Sequence, residues 1–258
     1  MRIVIGIPAR MGSTRFPGKP LCDIKGLSMV EHVYRRCALS SYTTDIFVAA
    51  CDLEIEHAVK RFGGNVIMTD PGILRPSLRV ATAAENLKLD DEDIVVVVQG
   101  DEPLVHPDMI DLAIQPLLDN DDVYVSNLIR ELTDGEKEDP GEIKVVCDLE
   151  MNALYMSRAP IPSTDHEEKR SIWWKQVCIM PFRWHFMKKF NHELSPTPLE
   201  LQESIEMIRV LQHGYKARMV PSPHISKSVD TENDRMQVEK LMHTDSVFHK
   251  YKNKRQAI

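Results

Sequence analysis

The sequence contains no Cys-x-x-Cys pair. Its five cysteines, at 22, 37, 51, 147 and 178, match no zinc framework. They read as reduced thiols of a cytosolic protein. No aliphatic run exceeds the five residues IVVVV at 94–98, far below the roughly 20 needed to cross a bilayer. The opening MRIVIGIPAR lacks the long apolar run and small-residue cleavage site of a signal peptide. A soluble, cytoplasmic protein with no membrane partner is expected. Cations are outnumbered, with 32 Lys and Arg against 39 Asp and Glu, for a net charge of −7. That balance argues against a nucleic-acid partner, which would call for a basic face. There is no internal repeat, no low-complexity tract and no linker that demands two independent domains. The 258 residues suffice for one core without a disulfide or metal staple.

Strand and helix patterns alternate through the first half. Residues 3–7 form a β-branched run that ends at Pro8. Residues 28–39 carry apolar side chains at helical spacing, 45–50 read as a strand, and 53–62 as a helix closed by Gly63-Gly64. A short strand at 66–68, an Ala-rich helix at 79–88, a fully apolar strand at 93–98 and a helix from Pro107 to Leu118 follow. This order predicts an α/β, three-layer domain with a mainly parallel sheet, whose ligands bind beyond the strands' carboxyl ends. The second half is less regular. Strands are expected at 123–130, 143–148 and 215–220, one long helix at 198–212, and a helix at 231–243 capped by Asp230 or Thr231. Residues 163–171 form a charged loop. The basic tail at 249–258 is expected to fray or to lie on a neighbour.

Three segments carry chemistry. Pro8-Ala9-Arg10-Met11-Gly12-Ser13-Thr14-Arg15-Phe16-Pro17-Gly18-Lys19-Pro20 puts three cations, two glycines and two hydroxyls directly after the first strand. Loop amides and glycines allow close approach to phosphate, and Arg10, Arg15 and Lys19 supply charge to a triphosphate. The Walker spacing is absent. Gln99-Gly100-Asp101-Glu102 follows the central strand, where a carboxylate suits Mg²⁺ or simply caps the next turn. Val229-Asp230-Thr231-Glu232 alone reads as a helix cap, unless Asp230 comes near Asp101 in space. His106, His213 and His224 have no partner at metal-ligand spacing and read as surface or structural residues. Met207 reads as core, and Trp173-Trp174 as packing at a subunit contact.

In order along the chain, IPARMGSTRFPGKPL, VQGDEPLV, DPGEIKVV, ALYMSRAPIP, SPTPLELQESIEMIRVL and SVDTENDRMQVEKL resemble the motifs of the 3-deoxy-manno-octulosonate (Kdo) cytidylyltransferases, the CMP-Kdo synthetases. The resemblance runs from residue 3 to about residue 242. It implies a Rossmann-like nucleotidyltransferase fold with a smaller dimerisation region, and a homodimer. Along the chain it implies a nucleotide-binding half (1–130), an acceptor-binding and dimerisation part (131–220) and a helical return (221–258). The implied reaction joins CTP and a small 2-keto sugar acid to give a CMP-sugar and pyrophosphate. Pro8, Ala9, Arg10, Ser13, Arg15 and Lys19 then fall around CTP, with Lys19, Arg10, Asp101 and Asp230 catalytic and Asp101 and Asp230 holding Mg²⁺. Arg79 falls on the cytosine side. Gln99, Arg158, Gln176, Glu203 and Glu206 fall near the sugar acid.

The likeness departs from the family pattern in two places. The family's His-x-Ser-Gly-Thr-Asp-Arg stretch is replaced by residues 72–79, of which only Arg79 and, loosely, Ser77 survive, and Pro76 offers no N–H to a base. On the acceptor side a family histidine becomes Gln176, and a glutamine becomes Met207. These changes imply the same activation chemistry on Kdo, an amino analogue or another ulosonic acid. A nucleotidyltransferase using another NTP or another acceptor, such as a sugar 1-phosphate, and a non-catalytic nucleotide-binding homologue are the competing readings.

Overall fold

A computed structural model describes residues 1–13, 15–163 and 172–252. The first half forms β1 (Ile3–Ala9), the small hairpin β2 (Asp23–Ile24) and β3 (Leu27–Ser28), α1 (Met29–Cys37), β4 (Asp45–Ala50), α2 (Leu53–Arg61), β5 (Val66–Met68), α3 (Pro76–Ala84), β6 (Ile94–Val98) and α4 (Pro107–Asp119). The second half adds β7 (Ser126–Glu131), β8 (Lys144–Cys147), β9 (Ala153–Ser157), β10 (Trp174–Val177), β11 (Ile179–Arg183), α5 (Trp184–His192), α6 (Pro198–Glu203), α7 (Met207–Gln212), β12 (Arg218–Pro221), α8 (Glu232–Leu241) and α9 (Ser246–Tyr251).

The main sheet has the order β11-β6-β1-β4-β5. Its pairings are parallel except for the antiparallel edge strand β11. The strands are apolar throughout because both faces are covered. Val4, Val95 and Val97 pack toward α3 and α5, while Ile5, Ile7, Val96 and Val98 pack toward α1, α2 and α4. The expected three layers are therefore present.

The structure differs from the sequence reading at several points. β1 continues through Pro8 and Ala9. It pairs with β4 as far as Ala9 but with β6 only as far as Gly6. Pro8 is tolerated because a strand needs no N–H donor on a flank that has lost its partner. α3 begins at Pro76, not residue 79, since proline suits the first helical turn. A second five-stranded sheet, β12-β7-β10-β8-β9, is mostly antiparallel. Only β12 pairs parallel in it.

The expected long helix at 198–212 is two helices. Ser204 takes a left-handed φ of 55° between α6 and α7. The break lets buried Glu200 turn back onto Arg209, with oxygen–nitrogen contacts of 2.6 and 2.8 Å. The tail does not fray at its start. α9 is anchored by Tyr251, which is 2 % exposed. The charged-loop expectation at 164–171 and the tail beyond Lys252 lie outside the described residues. No described helix is long and apolar enough to cross a membrane.

Candidate functional site

The site lies beyond the carboxyl ends of β1 and β6, where a doubly wound sheet leaves a crevice. Gly100 follows β6, and a Cβ there would meet the Pro8 carbonyl oxygen at 2.7 Å. The missing side chain lets the two strand ends close on each other, so the loop after β1 and the loop after β6 face one cavity. That cavity has a volume of about 330 Å³. Pro8, Ala9, Arg10, Ser13, Arg15, Lys19, Arg79, Gln99, Asp101 and Asp230 all line it. The structure thus brings together all the residues expected around the nucleotide.

At its floor the Lys19 ammonium lies 2.8 Å from Asp101 Oδ2 and 3.0 Å from Asp230 Oδ1. Arg15 adds a second contact to Asp230 Oδ1, at 3.0 Å. Burial lowers the Lys19 pKa, but the two carboxylates outweigh burial and hold it above its ordinary value. The lysine is therefore a fixed cation. Asp230 arrives because the Val229 amide donates to the Asp101 carbonyl at 2.9 Å. Thr231 Oγ1 accepts from the Asp234 amide and caps α8. The cap and the functional carboxylate are thus neighbouring residues, and Asp230 is free to face the cavity. Ser13 Oγ accepts from the Phe16 amide at 3.3 Å and shapes the cationic loop, while Arg10 is exposed at its rim.

Arg79 lines the cavity but spends its guanidinium on its own loop. It donates to Thr69 Oγ1 at 2.5 Å and also to the Ile73 carbonyl. It is 2 % exposed, so it positions the 69–75 segment while offering little free donor surface. Pro76 begins α3, where an N–H would have no helical partner anyway.

Leu74, Pro76 and Gln99 also border a second cavity of about 410 Å³. Arg158, Gln176 and Glu206 line it, together with Arg75, Cys178 and Met207. Gln176 donates to Asn127 Oδ1 at 2.5 Å, which fixes its carboxamide on β10. Glu206 accepts from the Ser77 hydroxyl at 2.7 Å. Burial pushes its carboxyl above the ordinary range, against the Ser77 hydrogen bonds, which favour the ionised form. Arg158 donates through Nε to the Glu203 carbonyl, and its amide donates to Glu203 Oε2.

Glu203 does not line either cavity. Its carboxylate accepts from Ser157 Oγ at 2.7 Å and from the Arg158 amide, so it braces Arg158 from behind. Met207 is fully buried and still forms part of the wall, so it is both core and lining. Sequence reasoning missed Arg75, which pairs with Glu200. Its only signal was a cation next to Pro76 at a helix start.

A family model described as cytidylyltransferase matches residues 3–220. A 3-deoxy-manno-octulosonate cytidylyltransferase from Geobacter sulfurreducens is 42% identical over 247 residues, covering 91% of this chain and 96% of its own. An 8-amino-3,8-dideoxy-manno-octulosonate cytidylyltransferase from Shewanella loihica is 39% identical over 236 residues, with 91% and 96% covered. Among solved structures, a CMP:2-keto-3-deoxy-manno-octonic acid synthetase complexed with CTP superposes with a TM-score of 0.88 at 33% identity. It covers 94% of this chain and 99% of its own.

Proposed function

The chain belongs to the cytidylyltransferase family, and from that premise we propose that it transfers CMP from CTP to the anomeric hydroxyl of a 2-keto sugar acid, Kdo or a Kdo-like ulosonic acid, releasing pyrophosphate. One observation carries the reading. Two carboxylates from distant parts of the chain meet on Lys19 at the floor of a cationic cavity, and Gln99 joins that cavity to a second, acceptor-sized one. The relatives' names and the neighbour's bound CTP support the same chemistry.

In this reading the triphosphate lies along Arg10, Ser13, Arg15 and Lys19. Lys19 turns from the carboxylates toward phosphate oxygens as the nucleotide enters. The acceptor sits in the second cavity against Arg158, Gln176 and Glu206, with Gln99 between the two substrates. Its hydroxyl attacks the α-phosphorus in line and releases its proton to solvent, while the P–O bond to pyrophosphate breaks. Arg10 and Lys19 neutralise the charge that develops on the leaving group.

Asp101 and Asp230 would hold Mg²⁺. They fit it because each aims a carboxylate oxygen at one point, now taken by the Lys19 ammonium. Magnesium commonly takes one or two carboxylates and keeps water and phosphate oxygens for its other positions. Bound there, the ion would screen phosphate charge and lower the pKa of the attacking hydroxyl.

We also propose a cytoplasmic homodimer. Leu149 and Leu154 support it, since both stand exposed beside or on the edge strand β9. Sedimentation of the purified chain tests the dimer.

Pyrophosphate release tests the activity. CTP, UTP, GTP and ATP are each offered with Kdo, its 8-amino analogue and other ulosonic acids, with and without Mg²⁺. Turnover that requires CTP and one of these acids is expected. Turnover independent of CTP would overturn the proposal.

A further inference from the structure

Glu200 is a buried carboxylate held by two guanidinium groups. Arg209 meets it through Nε at 2.8 Å and Nη2 at 2.6 Å, and the two side chains are 3% and 1% exposed. That bidentate pair is already neutral. Arg75 places a second guanidinium on Glu200 Oε1. Two cations on one anion leave a positive charge over. Arg75 is its outer member, with a side chain 29% exposed.

That charge faces the acceptor side. Leu74 and Pro76 line both cavities, whereas Arg75 lines the second and not the first. Arg158 is the other cation of the second cavity, and its Nε and Nη1 donate to the Glu203 and Pro140 carbonyls. Glu206 is the other anion. Its two oxygens accept from the Ser77 hydroxyl and amide, and burial disfavours its charged form, so it compensates Arg75 only in part. Burial and the repulsion of Arg209 also hold Arg75 below its ordinary pKa. An anion entering the cavity would offset both.

We propose that Arg75 determines acceptor specificity by binding the carboxylate of the sugar acid, with Glu200 and Arg209 behind it as positioning residues. The assignment rests on the function proposed above, which supplies an acid to this cavity. Glu200 engages Arg75 through Nη1, and a guanidinium carries further donors in a planar fork that matches a second carboxylate. The buried pair fixes the fork before the acceptor arrives, so little side-chain freedom is lost on binding.

The test compares two inert analogues of whichever acid the full-length chain turns over with CTP. One is the 2-deoxy acid, which lacks the attacking hydroxyl, and the other is its primary amide, which also lacks the negative charge. Inhibition constants are read from pyrophosphate release, or from thermal shift for a variant that does not turn over. The native chain should bind the acid at least about tenfold more tightly than the amide, the scale of a charged hydrogen bond. Arg75→Gln should cut that ratio by about tenfold and leave the KM for CTP within about twofold. Arg75→Lys keeps a cation on Glu200 without the planar fork and should fall between. Melting temperatures check folding, since the Glu200–Arg209 pair remains in both variants. An unchanged acid-to-amide ratio in both variants, or an equal rise in the KM for CTP, would overturn the role of Arg75 alone. Absence of turnover with every acid would overturn the proposed function and this site with it.

Discussion

Asp101 and Asp230 are held together through one ammonium, that of Lys19, at 2.8 and 3.0 Å. The chain delivers the first from the end of the central strand β6 and the second from the turn before α8. The cation keeps the two carboxylates together and keeps them from repelling.

Removing that cation or either anion should disable transfer with little effect on folding. Lys19→Met, Asp101→Asn and Asp230→Asn are each expected to lower kcat/KM for CTP by on the order of a hundredfold. Steady-state pyrophosphate release checks this, with melting temperature as the folding control. An Asp101→Asn variant with native turnover would refute the assignment of the carboxylate pair.

Gly100→Ala should be damaging out of proportion to its size. Its new Cβ would meet the backbone oxygen of Pro8 at 2.7 Å, and backbone cannot step aside as a flexible side chain can. A loss of about 1–3 kcal/mol is expected in denaturant unfolding. Weaker CTP binding should accompany it, because the strand ends that shape the cavity must part.

Gln176→Ala should act on the acceptor alone. Gln176 is fixed by Asn127 and lines the second cavity, not the first. About a tenfold loss in kcat/KM for the sugar acid is expected, the scale of one hydrogen bond. The KM for CTP should stay near the native value. An equal loss for both substrates would move Gln176 out of the acceptor site.

His32 should make the protein acid-sensitive through α9. Its ring is fully buried, paired with the Tyr251 hydroxyl and the Ile24 carbonyl, both at 2.7 Å. Burial pulls its pKa down to about 4. Below the ordinary value near 6.5 the unfolded chain takes up a proton that the folded chain refuses. Stability is therefore full above about pH 6.5 and falls until about pH 4, by on the order of 3 kcal/mol. His32→Gln should flatten that slope in thermal melts across the same range. A native melting curve unchanged between pH 6.5 and 4 would contradict it.

Much of the first half was legible because parallel strands covered on both faces read as unbroken apolar runs. β4 and β5 fall where the sequence pattern set them, and β6 differs by one residue. The second sheet was less legible. β9 mixes buried and exposed positions, and β10 alternates cleanly but buries Lys175 at an inward position, so neither sequence shows a clean apolar period. The helix at 198–212 failed for the opposite reason. Its apolar spacing continues through the break, while the buried Glu200–Arg209 pair and the left-handed Ser204 leave no mark in periodicity. α9 was missed because its six residues are too few for a pattern. Tyr251 matters through contacts with His32 and Arg36, far away in the chain.

The sequence by itself determined the α/β class, the cationic loop after β1, and the carboxylate of Asp101 just beyond the central strand. Those features are local, since strand burial, glycine spacing and charge density are written in neighbouring residues. Only the tertiary structure decided that Asp230 is more than a helix neighbour, that Arg79 is spent on its own loop, and that His106 and His224 stack with ring centroids 4.0 Å apart. Each of these depends on distances between segments that the chain order does not encode. They are set by the register of β6 against β1 and by the Val229-to-Asp101 hydrogen bond.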